Sequence, residues 1–106
     1  IVIRDFLTSS LVDEICRTAT EAGIAVIGEQ SEFAEAGALF TDGADIRDLF
    51  RRAAAYVDRI LRGEKAAELP IQLPTKFELV VNLRTARALG VDLPATTFAR
   101  ADQAIE

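Results

Sequence analysis

The chain has 106 residues, of which 50% are hydrophobic and 27% charged, and its formal net charge is −5. This length suits one domain, and the composition is that of a globular protein, which excludes the disordered and fibrous classes. The sequence contains no histidine, methionine or tryptophan. Without histidine, Ser-His-Asp and Cys-His nucleophile pairs and imidazole metal sites are excluded. No sequence motif marks a residue as catalytic, so we expect no catalytic residue, no metal and no cofactor.

The acidic balance also limits the partners. The chain has 12 Lys and Arg residues and 17 Asp and Glu residues. Because nucleic-acid binding depends on Lys and Arg that neutralise phosphates, we expect no nucleic-acid partner. No apolar run approaches the roughly 20 residues that a membrane-spanning helix needs. The chain starts at Ile1 rather than at a methionine. We therefore expect a processed chain or a fragment of a longer protein, whose missing N-terminus would hide any signal peptide.

Short apolar runs and helical spacing alternate in the first half of the chain. Three runs predict buried strands, at residues 1–3, 24–27 and 38–41. Between the first two, the spacing predicts a helix that is capped by one of three hydroxyl residues, Thr8, Ser9 or Ser10. Gly23 ends this helix, and residues 31–36 predict a single helical turn.

The longest predicted helix begins the second half. Asp45 or the residue before it caps the helix, and Gly63 ends it. Its apolar stripe is Ile46, Leu49, Phe50, Ala53, Val57, Ile60 and Leu61. Two ion pairs of i,i+4 spacing are expected on its other face, Asp48 with Arg52 and Asp58 with Arg62. Residues 64–74 then predict an extended connection.

The last third predicts a strand at residues 77–81, two helices and a final edge strand at residues 104–105. Asn82 caps the first of these helices and Gly90 ends it, while Pro94 suits the first turn of the second. Strands that alternate with helices in this way predict an α/β fold with a mostly parallel sheet flanked by helices.

Sheets of this class bind ligands in the crevice beyond the carboxyl ends of their strands. Loops that follow the predicted strands therefore supply the candidate ligand-binding residues, which are Asp5, Phe6, Gly28, Glu29, Thr41, Asp42 and Gly43. This expectation comes from the fold class, because no phosphate-binding loop or dinucleotide motif accompanies these residues.

Three other features allow different interpretations. Cys16 lies in the apolar stripe of the first helix, and we predict that it packs as a small hydrophobic residue. Asp5, Thr41 and Lys76 follow the order of the phospho-acceptor, threonine and lysine of receiver domains. This order leaves open a cytosolic regulatory domain with Asp5 as the acceptor. An enzyme that uses Glu29 and Asp42 as acid and base is the third alternative.

Four segments of the sequence resemble one known family. They are EFAEAGALFTDG at residues 32–43, DLFRRAAAYVDRILRGEKAAELP at 48–70, PTKFELVVNLRTARALGV at 74–91 and FARADQAIE at 98–106. These segments are similar to the C-terminal portion of uncharacterised ABC-transporter substrate-binding proteins, a family that includes tryptophan/tyrosine-binding lipoproteins. The run at residues 75–80 is the most diagnostic part.

The resemblance implies part of a type I periplasmic-binding-protein fold, in which two α/β lobes close around a small, amino-acid-like solute. Residues 1–106 would form the C-terminal segment of such a protein. Residues 1–43 would supply β-α-β elements of the second lobe, and residues 44–106 the long helix, a hinge-crossing connection and the C-terminal strand and helices. The full-length protein would work in the periplasm or on a lipid anchor outside the cytoplasmic membrane, and deliver its solute to an ABC permease subunit.

The chain departs from the family at two places on the expected ligand edge. Members often carry Tyr-Gly where this chain has Gly28-Glu29, and again where it has Asp42-Gly43. The loss of two aromatic rings and the gain of two carboxylates favour a more polar or cationic solute. Dimerisation of the fragment through the long helix or the sheet edge is one way for an incomplete lobe to cover its apolar surface.

Overall fold

The computed structural model describes residues 1–106, and its helices and strands follow one another without a long gap. In chain order they are α1 (Phe6–Ser10), α2 (Val12–Glu21), β1 (Ile27–Gly28), α3 (Ser31–Glu35), β2 (Phe40–Ala44), α4 (Ile46–Leu61), a 3₁₀ turn (Ala66–Glu68), β3 (Phe77–Asn82), α5 (Leu83–Leu89), α6 (Ala95–Arg100) and β4 (Gln103–Ile105). The chain divides into two compact units. Unit 1 is Ile1–Gly43 with Glu78–Glu106, and unit 2 is Ala44–Phe77.

One four-stranded sheet has the order β1-β2-β3-β4. The outer pairs, β1 with β2 and β3 with β4, are parallel. At the central pair, the Asn82 N–H donates to the Leu39 carbonyl and the Asp45 N–H donates to the Lys76 carbonyl. Residue numbers therefore fall along β3 as they rise along β2, which is the antiparallel sense. The sheet is mixed but mostly parallel, which confirms the predicted α/β class.

The first three predicted strands differ most from the observed bounds. Residues 1–3 form no strand, and only the Val2 N–H reaches β1, at 2.8 Å from the Ile27 carbonyl oxygen. The second and third predicted strands begin later than expected, since β1 is Ile27–Gly28 and β2 is Phe40–Ala44. The predicted edge strand at the C-terminus is confirmed as β4, which lies at the end of the sheet.

The core of unit 1 lies where α2 and α3 pack on the sheet. Cys16, Val26, Phe33 and Ala38 form one buried cluster. The Cys16 side chain is fully buried, which confirms its predicted role as a small hydrophobic residue. Burial of a side chain as large as Phe33 contributes about 2 kcal/mol to stability, so this cluster is a main anchor for β1 and β2.

Local capping signals identify most of the helix ends. Asp45 caps α4, Asn82 caps α5, and Gly90 ends α5 in the left-handed conformation, all as predicted. The predicted N-cap at Thr8, Ser9 or Ser10 is wrong. Asp5 caps α1 instead, because its carboxylate accepts the Thr8 N–H while the Thr8 hydroxyl accepts the Asp5 N–H.

Unit 2 consists of α4 and the segment that returns along it. No residue of α4 is buried, and the stripe residues Phe50 and Leu61 are 73% and 81% exposed. Arg52 and Tyr56 tie the return segment to the helix, since the Arg52 guanidinium donates to Gln72 and the Tyr56 hydroxyl donates to the Pro70 carbonyl at 2.6 Å.

The two predicted ion pairs of α4 have different outcomes. The Asp58–Arg62 pair is present at 2.9 Å, as predicted. The Asp48–Arg52 pair is wrong, because Asp48 pairs with Arg51 at 3.3 Å. Arg52 gains more hydrogen bonds from the return segment than a single carboxylate on its own helix would offer.

Candidate functional site

The end of β1 and the loop after it contain the first pair of candidate residues, Gly28 and Glu29. Gly28 is buried beside Thr41, its parallel partner in β2. A Cβ at Gly28 would lie 2.7 Å from the Phe33 Cβ, so the core leaves no room for a side chain. The Glu29 carboxylate accepts the Arg4 N–H at 2.7 Å. This bond holds the end of the N-terminal extended segment against the loop that follows β1.

Asp5 and Phe6 begin α1 directly after this contact. One Asp5 carboxylate oxygen accepts the Thr8 N–H at 2.7 Å. The hydrogen bonds from the Thr8 backbone and from its side chain lower the pKa of Asp5 below its ordinary value. Asp5 is therefore a carboxylate whose first role is to cap a helix. The Phe6 side chain is 94% exposed.

The remaining three candidates belong to β2 itself. We predicted that Asp42 and Gly43 follow the strand, but β2 runs from Phe40 to Ala44 and includes both. A Cβ at Gly43 would overlap the Glu29 carbonyl oxygen, so the absence of a side chain lets β2 continue past the point where a turn was expected. Asp42 is exposed, and its side chain makes no hydrogen bond within unit 1.

Thr41 lies beneath this edge rather than on its surface. The side chain is only 1% exposed, and its Oγ1 has no hydrogen-bond partner. A buried hydroxyl without a partner is unusual, because it loses the hydrogen bonds that water gave it. Thr41 therefore belongs to the floor of the candidate site, between β1 and β3.

These contacts join most of the candidate residues at one edge of the sheet. Gly28 pairs with Thr41, Glu29 lies against Gly43, and the Arg4–Glu29 hydrogen bond brings the segment that leads to Asp5 alongside them. Sequence reasoning missed Arg4, whose side chain also pairs with Glu32 at 3.3 Å. No local pattern reveals a bond between backbone and side chain across 25 positions.

The chemistry of this edge is that of an anionic surface. Asp5, Glu29 and Asp42 supply three carboxylates, and Asp42 alone among them has no hydrogen-bonding partner in unit 1. Such a group can receive an ammonium or guanidinium group. No group of three or more Cys, Asp and Glu side chains is placed to hold a metal ion.

Lys76, the third member of the receiver-like trio, is engaged elsewhere. Its ammonium lies 2.8 Å from the Asp45 carboxylate within unit 2. The hydrogen bond from Lys76 lowers the pKa of Asp45, and the same bond raises the pKa of Lys76. Lys76 therefore has a structural partner in its own unit.

The chain is similar to several solved structures. A conserved domain protein from Vibrio cholerae has a TM-score of 0.90 and 28% identity, over 96% of this chain and 34% of that one. The ABC domain from Streptococcus pneumonia, solved with L-Trp, has a TM-score of 0.87 and 22% identity over 95% and 34%. The ligand-free, open structure of a Clostridium difficile substrate binding protein with adhesive properties has a TM-score of 0.67 and 27% identity over 99% and 35%.

The chain thus spans about a third of the length of these structures. No curated protein matches it. None of its helices combines the length and apolar character that crossing a membrane requires.

The family described as ABC transporter substrate binding protein matches residues 1–105, nearly the whole chain. This match confirms the resemblance found in the sequence and favours it over the receiver-like alternative with Asp5 as acceptor. The chain belongs to the ABC transporter substrate binding protein family.

Proposed function

We propose that this chain is part of the solute-binding component of an ABC importer that works outside the cytoplasmic membrane. In this proposal the complete gene product captures a small, amino-acid-like solute between two lobes and presents it to a permease subunit. The observation that carries the proposal is the family match over residues 1–105, together with a sheet edge that exposes carboxylates. Closure of the lobes would trap the solute, and the permease would recognise the closed form.

The edge of unit 1 would supply one side of the solute site. Asp42 would receive a positively charged group of the solute, since its carboxylate is exposed and makes no hydrogen bond within unit 1. Glu29 would add negative potential while it holds the Arg4 N–H. Gly28 and Gly43 would shape the site indirectly, because the absence of a side chain lets Phe33 pack on Gly28 and the Glu29 carbonyl lie against Gly43.

The other three candidates, Asp5, Phe6 and Thr41, would contribute less directly to solute binding than Asp42. The Asp5 oxygen that does not cap α1 is free to accept a hydrogen bond, and the exposed Phe6 ring offers an apolar contact. Thr41 would support the site from below, since its hydroxyl is buried and unpartnered.

The nature of the solute follows from the charge of this edge. Among the seven candidate residues, three carboxylates and a single aromatic ring, that of Phe6, favour a cationic or strongly polar solute over an aromatic one. L-Trp, which the Streptococcus structure holds, is therefore the informative comparison ligand. We expect lysine or arginine to bind more tightly than tryptophan or tyrosine.

The test is a binding experiment on the complete gene product that carries this sequence. Calorimetry with the common amino acids should show tightest binding for a basic or polar one. Asp42→Asn should weaken that binding about tenfold, the effect of roughly one lost charge-assisted hydrogen bond. Asp13→Asn is the matched control, because Asp13 is exposed on α2 and none of the candidate residues belongs to that helix.

Two results would contradict the proposal. Tight binding of tryptophan or tyrosine that shifts the amide signals of Gly28 and Glu29 and that Asp42→Asn leaves unchanged would exclude the cationic solute. Failure of every amino acid and small polar solute to bind would exclude an amino-acid-like solute as a class. We also expect residues 1–106 alone to bind weakly, since one side of a site cannot enclose a ligand, and micromolar affinity for this segment would contradict that expectation.

The transport role has its own test. Cells that lack the gene product should lose uptake of the solute identified by calorimetry, and fractionation should find the protein outside the cytoplasmic membrane. Unchanged uptake in those cells would separate solute binding from import.

A further inference from the structure

A second cavity lies in unit 1, between the end of α5, the segment that follows it, and α6. Its volume is about 520 Å³, and none of the seven candidate ligand-binding residues lines it. This volume falls within the range of small-molecule sites, roughly 300–1,000 Å³. The cavity is therefore large enough for an amino acid and distinct from the candidate site at the sheet edge.

The walls of this cavity are held by backbone hydrogen bonds. Gly90 adopts a φ of 64°, and the Val91 N–H donates to the Ala86 carbonyl at 2.9 Å. This pattern closes the C-terminal end of α5 in a fixed turn. On the other wall, the Thr97 N–H donates to the Pro94 carbonyl at 2.9 Å and begins α6. A cavity with such walls is preorganised, which lowers the entropy cost of binding.

The floor and the rim of the cavity differ in character. Five of its residues have apolar side chains, namely Leu83, Ala86, Val91, Leu93 and Phe98. Val91 and Phe98 are 37% and 41% exposed, so part of this apolar surface is open to a ligand. Arg87 and Asp92 stand at the rim, where both are exposed.

The two rim charges have no partner within unit 1. Arg87 lies on the last turn of α5 and Asp92 lies two residues beyond Gly90, yet they form no ion pair with each other or with another residue of the unit. A ligand that satisfies both rim charges must carry one negative and one positive group.

We propose that this cavity is a second binding site, for a free amino acid with an apolar side chain. The Arg87 guanidinium binds the carboxylate, where its planar pair of N–H donors matches the two oxygens. The Asp92 carboxylate accepts hydrogen bonds from the ammonium group. The apolar side chain packs against Leu83 and Phe98. This assignment is independent of the proposed solute site at the sheet edge.

Methyl-resolved NMR on the complete gene product tests the assignment with L-phenylalanine as the probe. Its addition should shift the methyl signals of Leu83, Val91 and Leu93. Phenethylamine lacks the carboxylate and 3-phenylpropionate lacks the ammonium group, so each should bind at these methyls at least about tenfold more weakly. The amide signals of Gly28 and Glu29 report binding at the sheet edge. The two sites are therefore monitored by separate signals, and the absence of binding at one can be seen whatever happens at the other.

Two variants test which group of the ligand each charged side chain at the rim binds. Arg87→Gln should weaken phenylalanine binding about tenfold and abolish the preference for phenylalanine over phenethylamine. Asp92→Asn should weaken binding similarly and abolish the preference over 3-phenylpropionate. Arg84→Gln is the matched control, because Arg84 is an exposed arginine of α5 that does not line this cavity. Absence of methyl shifts at millimolar phenylalanine, or equal binding by the two variants and the control, would overturn the proposal.

Discussion

The side-chain amide of Asn82 joins the end of β3 to α3, because its Nδ2 donates to the Ala34 carbonyl at 2.8 Å. The same amide accepts the Thr85 N–H at 2.9 Å and so caps α5. Asn82 is fully buried, and both its donor and its acceptor are satisfied. One side chain thus links β3 to α5, which follows it directly, and to α3, 48 positions earlier in the chain.

Replacement of Asn82 by aspartate separates these two roles. Asn82→Asp keeps an acceptor for the Thr85 N–H but places a carboxylate against the Ala34 carbonyl oxygen. We expect the free energy of unfolding to fall by about 3 kcal/mol at neutral pH, since the new charge is buried without a partner. The loss should shrink as the pH falls, because a protonated carboxyl can donate to Ala34. Urea unfolding at pH 7 and pH 4 measures the loss of unfolding free energy and its dependence on pH. A loss that is the same at both pH values would contradict this account.

Local signals in the sequence predict the features that depend on near neighbours. Asp45, Asn82 and Gly90 are correct as helix ends because each acts on residues within one turn. The Asp5 cap had such a signal too, since Thr8 lies three positions further on, but the hydroxyl residues at positions 8–10 offered more alternatives.

The arrangement of the candidate site depends on distant neighbours and escapes such reasoning. The Asp42-Gly43 pair reads as a turn, yet β2 continues through it because Gly43 lies against the Glu29 carbonyl, 14 positions earlier. The Arg4–Glu29 bond spans 25 positions. The fold class is nevertheless predictable, since alternating short strands and helices specify it whatever the details of their ends.

Thr41 and Thr85 form a matched pair of buried hydroxyls. The Thr41 Oγ1 has no partner, whereas the Thr85 Oγ1 donates to the Gly37 carbonyl at 3.0 Å. Thr41→Val should leave stability unchanged or raise it by about 1 kcal/mol, because it removes an unsatisfied polar group. Thr85→Val should lower stability by about 1–2 kcal/mol, because it leaves the Gly37 carbonyl without its donor. Thermal unfolding of both variants should rank them in this order, and a larger loss for Thr41→Val would indicate that its hydroxyl has a partner such as a bound water.

Gly43 should tolerate no side chain. Gly43→Ala places a Cβ onto the Glu29 carbonyl oxygen, and backbone must move to relieve the overlap. We expect a loss of about 3 kcal/mol and a shift of the amide signals of Gly28 and Glu29, since the edge of the sheet must open. Gly23→Ala is the control, because a Cβ there meets nothing within 4 Å and costs only about 1 kcal/mol of backbone strain at a φ of 71°. Equal losses for the two variants would show that the approach of β2 to Glu29 is not tight.

The Cys16 thiol should report the integrity of the core. Burial raises the pKa of this thiol, and its side chain is fully enclosed. The native protein should therefore react with a thiol reagent such as dithionitrobenzoate only as it unfolds, since the thiolate is the reactive form. The reaction rate should rise with urea in parallel with the unfolded fraction. Rapid labelling in the absence of urea, with the fold intact by circular dichroism, would contradict the buried position.

The Asp45–Lys76 pair should give unit 2 a stability that depends on pH. The hydrogen bond from the Lys76 ammonium and then that from the Asp48 N–H lower the pKa of Asp45 below its ordinary value of 3.8. The Asp45 carboxylate therefore stabilises the folded state fully above pH 3.8, and this contribution is lost as the pH falls through the lower pKa of the folded state. The hydrogen bond to Asp45 raises the pKa of Lys76 above 10.5, so the lysine contribution is lost only at higher pH. Lys76→Gln should therefore lower the urea midpoint at pH 7 but not once Asp45 is protonated. Lys65→Gln is the control, because Lys65 is exposed and lies 3.9 Å from Glu68, and its effect should be negligible at both pH values. A Lys76→Gln effect that persists unchanged after protonation of Asp45 would show that the lysine stabilises unit 2 by packing rather than by its charge.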